Sequence, residues 1–299
     1  MKLNRLSLQD KTLFNRYLGA CEHELSVYAF EDIYIWKGLF RIYWAQVQKS
    51  LCVFFQDRAG AFLYLPPLGK QITPELIREI FQVLDSLNQN KAISRIENVE
   101  EKDLSFYRQL GFACVKKSFD YVCLRQDLVG LKGSRYKSKR SCLNYFLKHY
   151  EFQDLPYKSA FHKQCLELYL AWAKARSSRN NDPIYRYMLE DSCNALKVLL
   201  RNFKSLNCIG RVVKVKGEIK AFTIGYQLNP ETFCILYEVA DLSFKGLAQF
   251  IFREFCAGLK DFKYINVMDD SGLKNLEQVK FSYKPVKLVP AFIVKRKNE

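Results

Sequence analysis

Near the end of the chain, "INVMDDSGLKNLEQVKFSYKP" sets Asn266, Asp269 and Asp270 behind a short apolar run. Lys280, Ser282 and Tyr283 follow, just before a proline that fixes the turn. A carboxylate can take a proton from an attacking amine, and a phenol can return one to a leaving group. A lysine and a serine beside them can hold phosphate or a developing oxyanion. The plain alternative is that Asp269 and Asp270 cap the helix that follows. Glu238 is a second candidate base, because it interrupts the apolar run "CILYEVAD". Half-buried there, its pKa would rise toward the range a general base needs. An outward-facing strand glutamate fits the same residues.

Two further stretches suit phosphate. "YEVADLSFKGLAQFIF" reads as a strand, an acidic bend, then Lys245, Gly246, Leu247 and Ala248 opening a helix. Small residues at a helix start let an anion reach the free N–H groups, where the helix dipole also favours it, although glycine is common at such positions. "GLKGSRYKSKRSCLNYF" carries five cations, Lys132, Arg135, Lys137, Lys139 and Arg140, and no carboxylate occurs between Asp127 and Glu151. Tyr136, Leu143, Phe146 and Leu147 recur there at helical spacing, which predicts a basic helix over 132–149 with one buried stripe. Its cations would project together toward a polyanion or, in the plain reading, into solvent.

These residues need elements to hold them. An opening helix is expected from about Leu8 to Cys21, then successive antiparallel strands in "FRIYWAQ", "SLCVFFQ" and "AFLYLPP". "TPELIREIFQVLDSLN" is an amphipathic helix: Thr73 caps it, Pro74 suits its first turn, and Leu76, Ile80, Phe81 and Leu84 share a face. A strand in "AISRIEN", a short helix ending at Gly111 and a strand in "SFDYVCLR" complete the first half. The second half repeats the order. Three strands fall in 211–241, then the helix "KGLAQFIFREFCAGL", the strand "KYINVMD", the helix "LKNLEQVKF" and a closing strand pair in "PVKLVPAFIVKR". A helical stretch, "SAFHKQCLELYLAWAKAR", lies between the halves. Two diverged copies of one α/β unit follow, with boundaries expected at 1–128 and 129–299.

Composition narrows the partners. A chain of 299 residues suits two domains, and 49% apolar with 15% aromatic residues can fill both cores. A net charge of +16 favours an anionic partner such as RNA, a nucleotide or an acidic membrane face. Ten cysteines without a CxxC pair read as free thiols in a reducing compartment; Cys52, Cys123, Cys234 and Cys256 sit in apolar runs. With only three histidines and no ligand spacing, no metal centre is expected. No phosphate-binding GxxxxGK[ST] loop, GxSxG elbow or HExxH motif occurs. The N-terminus lacks a signal-peptide core and no apolar run reaches about 18 residues, so a cytoplasmic protein is expected.

Several of these stretches carry a resemblance. "FYRQLGF" before a strand looks like a GNAT acyltransferase ending. Together "YAFEDIYIW", "YLPPLG", "DYVCLRQDLVGLKGSRYKSKR", "YEVADLSFKGLAQFI" and "INVMDDSGLKNLEQVKFSYKPVKL" resemble the phosphatidylglycerol lysyltransferase C-terminal-like family over nearly the whole chain. The resemblance implies an α/β (α+β) fold of two tandem GNAT-like domains, each a mixed, mostly antiparallel sheet flanked by helices. It implies an acyltransferase or aminoacyltransferase whose donor is aminoacyl-tRNA or acyl-CoA, with no tightly bound cofactor, acting on an amine or hydroxyl acceptor. The second half would carry the site: Glu238 or Asp270 as base, Tyr283 as acid, and Lys280 with the basic helix on donor phosphates. "LSFKGLA" departs from the GNAT pattern Q/R-x-x-G-x-G/A, keeping Gly246 and Ala248 but starting without Arg or Gln. The alternative is a noncatalytic protein that keeps the fold and binds RNA or an anionic membrane.

Overall fold

The computed structural model describes residues 1–178, 180 and 182–297. In chain order the elements of the first part are β1 (Asn4–Arg5), α1 (Lys11–Leu18), α2 (Phe30–Ile35), β2 (Arg41–Val47), β3 (Ser50–Gln56) and β4 (Ala61–Leu63). Then come α3 (Pro74–Leu87), β5 (Arg95–Glu100), α4 (Leu104–Gln109) and β6 (Ala113–Leu124). The chain continues through α5 (Arg125–Gly130), α6 (Lys137–His149), β7 (Phe152–Pro156), α7 (His162–Ser177), α8 (Pro183–Arg201) and β8 (Ile209–Val215). It ends with β9 (Glu218–Gln227), β10 (Thr232–Ala240), α9 (Leu247–Gly258), β11 (Tyr264–Asn266), α10 (Lys274–Phe281) and β12 (Lys287–Lys295).

The chain does not divide at one cut after residue 128. One compact unit takes Met1–Asp120, Asp269–Gly272 and Leu288–Glu299; the other takes Tyr121–Met268 and Leu273–Lys287. The expected closing strand pair is a single strand, β12, and it pairs antiparallel with β5 of the first unit. A sequence pass sees the period of that strand but not its partner, which lies nearly two hundred residues earlier.

In the first unit the strands run in the order β1-β2-β3-β4-β5-β12-β6. β1 with β2, β2 with β3, β3 with β4 and β5 with β12 pair antiparallel, while β4 and β5 meet in parallel at Leu63 and Ile96. Helix α3 forms as its sequence dictates. The Thr73 hydroxyl accepts from the Leu76 N–H at 3.1 Å, Pro74 opens the first turn, and Leu76, Ile77, Ile80, Phe81 and Leu84 are buried. That face joins Phe54, Leu63, Ile96, Tyr107 and Val294 in one core. Helix α2 escapes a periodicity reading because all six of its residues are buried, Glu31 and Asp32 included. A helix without a polar side shows no 3.6-residue pattern.

In the second unit the order is β6-β11-β10-β9-β8-β7. All neighbours are antiparallel except β10 with β11. Helix α9 packs on one face of this sheet, over Phe233, Ile235 and Ile265 toward one end and over Val213, Ala221 and Ala240 toward the other. Helix α7 is the helical stretch expected between the halves, while α8 after it has no counterpart in the expected repeat. The Tyr169 hydroxyl of α7 donates to the Leu189 carbonyl of α8 at 3.0 Å, and the Tyr237 hydroxyl of β10 donates to the Ser192 carbonyl of α8 at 2.7 Å. Tyr136, just before α6, and Phe146 within it are buried, as the spacing predicts, but Leu147 is 49% exposed. Phe146 packs on Phe250 of α9, with ring centroids 5.0 Å apart, and Leu147 lies about 100° further round the helix, off that seam.

The ten cysteines are free, and Cys52, Cys123, Cys234 and Cys256 are buried, as expected. Among the described residues no helix is long and apolar enough to cross a membrane, and no group of His, Cys, Asp and Glu is arranged to hold a metal ion.

Candidate active site

The site grows from a mismatch between two strands. β10 pairs with β11 only from Thr232↔Tyr264 to Cys234↔Asn266, because β11 is three residues long. Beyond Cys234, β10 runs on to Ala240 against β9 alone. Its register slips there: Ile235 faces Gly225, Tyr237 faces Ile224, and Leu236 is the extra residue of a β-bulge. A bulge shifts the alternation by one. Tyr237 therefore turns toward α8, and Glu238 turns to the face that α9 covers.

Glu238 is exposed by surface area, yet burial is the main cause that raises its pKa to about 7. Both hold for a carboxylate on the floor of a recess, where solvent touches it but protein surrounds it. Lys139 and Lys280 oppose the shift and keep the carboxylate from rising further. Lys139, half-buried on α6, has its own pKa lowered by burial, with Glu238 pulling it back up. Its Nζ lies 4.0 Å from the centroid of the Tyr283 ring, a cation–π contact.

Tyr283 follows α10 and is buried. Its ring packs on Phe252 of α9, centroids 4.5 Å apart, and its carbonyl accepts from the Tyr136 hydroxyl at 3.0 Å. Burial first, then the Glu238 charge, push its phenol well above its ordinary pKa, so it stays protonated at any physiological pH. Lys280 donates to the Val267 carbonyl at 2.5 Å. The arrangement is a carboxylate poised near neutrality, a phenol held protonated, and two ammonium groups. Such a set can take a proton from one reacting group and return one to another.

The other expected residues have other surroundings. A Cβ on Gly246, whose φ is +88°, would run into the Cys142 carbonyl oxygen of α6, so this glycine admits the close approach of a helix backbone. Ala248 is half-buried against that seam, and Lys245 is exposed with its Nζ 4.6 Å from the Tyr145 ring centroid. In the basic segment Arg135 pairs with Asp127 at 2.9 Å. Arg140 turns back on the Leu131 and Gly133 carbonyls, the latter at 2.6 Å. Lys132 is exposed. Only Lys139 of that segment joins Glu238. Asn266 is fully buried, its Oδ1 accepting from the Met268 N–H at 2.7 Å. Asp269 and Asp270 belong to the first unit, where they accept from the Ser271 and Gly272 N–H groups at 3.2 and 2.8 Å. They shape a turn rather than cap α10. Ser282 donates to the Val279 carbonyl.

Sequence reasoning missed Thr223. It lies opposite Glu238 in the β9–β10 register, fully buried, with no hydrogen-bond partner for its hydroxyl among the described residues. Nothing local marks it, since cross-strand register decides the pairing. Cys256 of α9 was read as a buried thiol and not as a neighbour of the base. Its pKa is raised by burial and next by Glu238. A groove of about 470 Å³ between α7 and α8 contains none of these residues.

The sequence profile described as phosphatidylglycerol lysyltransferase, C-terminal, matches residues 21–295. The chain belongs to this family. Solved structures agree on the fold of this lysyltransferase-family chain. A conserved protein of unknown function from Bacteroides thetaiotaomicron VPI-5482 superposes with a TM-score of 0.89 at 24% identity, over 99% of this chain and 100% of the other. L-PGS from Bacillus licheniformis superposes at 0.66 with 16% identity, over 97% and 93%. A tandem GNAT protein from the clavulanic acid biosynthesis pathway superposes at 0.53 with 8% identity, over 100% and 99%. No curated protein sequence matches. The lysyltransferase-family chain thus has the expected fold, two tandem GNAT-like domains of an acyltransferase type, each a mixed, mostly antiparallel sheet flanked by helices.

Proposed function

We propose that the second unit transfers an acyl group, specifically an aminoacyl group carried by tRNA, to an amine or hydroxyl acceptor. The observation that carries this reading is the cluster in which the Glu238 charge acts on the Tyr283 phenol, Lys139 and Lys280 act on Glu238, and the Lys139 Nζ sits 4.0 Å from the Tyr283 ring. Glu238 takes the proton of the attacking group. The edge of β10 past Cys234, unpaired by β11, offers main-chain N–H groups to the developing oxyanion. Tyr283 returns a proton to the departing oxygen, and the lysines offset negative charge at the donor end.

The start of α9 favours the RNA donor over acyl-CoA. An acyl-CoA pyrophosphate seated on that helix would need the space that the α6 backbone takes at Gly246. Membership of the lysyltransferase family supports the same choice.

Competition tests it. Labelled aminoacyl-tRNA bound to the full chain is challenged with uncharged tRNA and, separately, with acetyl-CoA. Clear preference for the charged RNA, with no displacement by CoA, is expected. Tyr283→Phe should slow transfer by about 10²-fold, whereas Asp270→Asn should leave it unchanged. Equal competition by charged and uncharged RNA would remove the transferase reading and leave a noncatalytic binding protein.

A further inference from the structure

The groove between α7 and α8 lies apart from the Glu238 recess, on the face of the second unit's sheet toward which Tyr237 points. Its volume is about 470 Å³, and Tyr169 and Leu189 form its floor. Lys174 stands on one wall, and Arg186 and Lys197 on the other, against a single carboxylate, Glu190. Lys174 and Arg186 enter no ion pair with a described residue. Tyr187, next to Arg186 on α8, is 64% exposed, and Leu170 on the α7 wall is 50% exposed.

We infer that this groove binds a strand of RNA. Cations on both walls of an open trough match a linear chain of phosphates. The exposed Tyr187 ring on the same helix as Arg186 gives bases a sequence-tolerant stacking face. A membrane surface is flat and does not enter a trough floored by Tyr169 and Leu189. The segment 132–140, which carries the densest run of cations in the sequence, spends Arg135 and Arg140 on internal partners. The α7–α8 groove adds to that helix a second set of cations, of which Lys174 and Arg186 enter no ion pair with a described residue. The inference rests on the RNA-donor reading above and adds where the RNA body lies.

The test is anisotropy of a short labelled single-stranded RNA against the full chain across a salt series. Three phosphate contacts predict a log–log salt slope of about −2. Lys174→Glu with Arg186→Glu should weaken binding at least about 10-fold and flatten the slope by about 1.4. Tyr187→Ala should weaken it about 10-fold with the slope unchanged, as loss of stacking does. Arg186→Lys should restore most of the binding. If both groove variants melt like the wild type and bind RNA as tightly, the groove assignment is wrong. If they lose binding to phosphatidylglycerol vesicles while keeping RNA, it is also wrong. The probe is uncharged, so loss of RNA binding in the variants supports the groove even if charged RNA shows no preference in the competition above.

Discussion

Each unit has a place where two parallel strands part, and the two units fill it differently. In the first unit β4 and β5 meet only at Leu63 and Ile96. Past that point polar groups close on one another. The Asn98 amide donates to the Tyr64 carbonyl at 2.9 Å, Tyr28 donates to the Asn98 carbonyl at 2.8 Å, and Tyr64 donates to Asp32 at 2.6 Å. Lys117 bridges Glu97 and Asn98 at 2.6 and 3.0 Å. The buried carboxylates Glu31, Asp32, Glu97, Glu100 and Asp120 all belong to this unit. In the second unit the parting of β10 and β11 leaves Glu238 open to solvent with lysines around it. The contrast teaches that one fold yields a scaffold when its gap is closed by internal hydrogen bonds, and a reactive recess when its carboxylate is left without them. Burial raises Asp32 and Glu238 alike to about 7, so the pKa alone does not separate the two roles; access does.

The largest expected effect breaks the comparison directly. Glu238→Gln should lower transfer by about 10²- to 10⁴-fold without lowering the melting temperature. Wild-type transfer should rise with pH through about 7, as the carboxylate forms, and that limb should vanish in the variant. The folded pKa is raised above the ordinary 4.5, so the protonated form favours the native state. Its stabilising contribution is full below 4.5 and is lost as pH rises through about 7. If Glu238→Gln keeps its activity, the second gap is no more reactive than the first.

Gly246→Ala tests whether that glycine serves the α6 seam. A Cβ forced against the Cys142 carbonyl at positive φ should cost about 2 kcal/mol, read by denaturant melting. A neutral result would free the start of α9 for a phosphate and reopen the CoA donor.

Tyr64→Phe sharpens the first gap. Removing the hydroxyl that donates to the buried Asp32 should cost about 1 kcal/mol and leave transfer unchanged. The Tyr64 bond holds the Asp32 pKa down against burial, so the variant should titrate higher still. In a Glu238→Gln background the wild-type Asp32 contribution is full below 3.8 and lost as pH rises through about 7, and the Tyr64→Phe loss should shift to higher pH.

Much of the fold was legible beforehand because local signals agree with it. Thr73 and Pro74 announce α3, "SLCVFFQ" coincides with β3, and "LKNLEQVKF" overlaps α10. The short buried α2 and the long α8 left weaker marks: one has no polar face, and the other lies where a repeat of the first half gave no reason to expect a helix. Within the site, Glu238 was legible as a carboxylate in an apolar run, and Tyr283 as one of the polar residues set just before a proline. Lys139 stood out only as one cation among five, and Thr223 did not stand out.

Sequence by itself determined the element types, the free thiols, the basic charge and the family, because each is written in composition, short-range period or motif. Tertiary structure alone decided which of those residues meet. The bulge at Leu236 turns Glu238 to the α9 face, and the Tyr136 hydroxyl reaches the carbonyl of Tyr283 across 147 positions. Arg140 bends inward while Lys139 beside it reaches the Tyr283 ring. Neighbours in sequence point to different sides of a helix or strand, and residues far apart converge through packing, so the site exists only once the cores have formed.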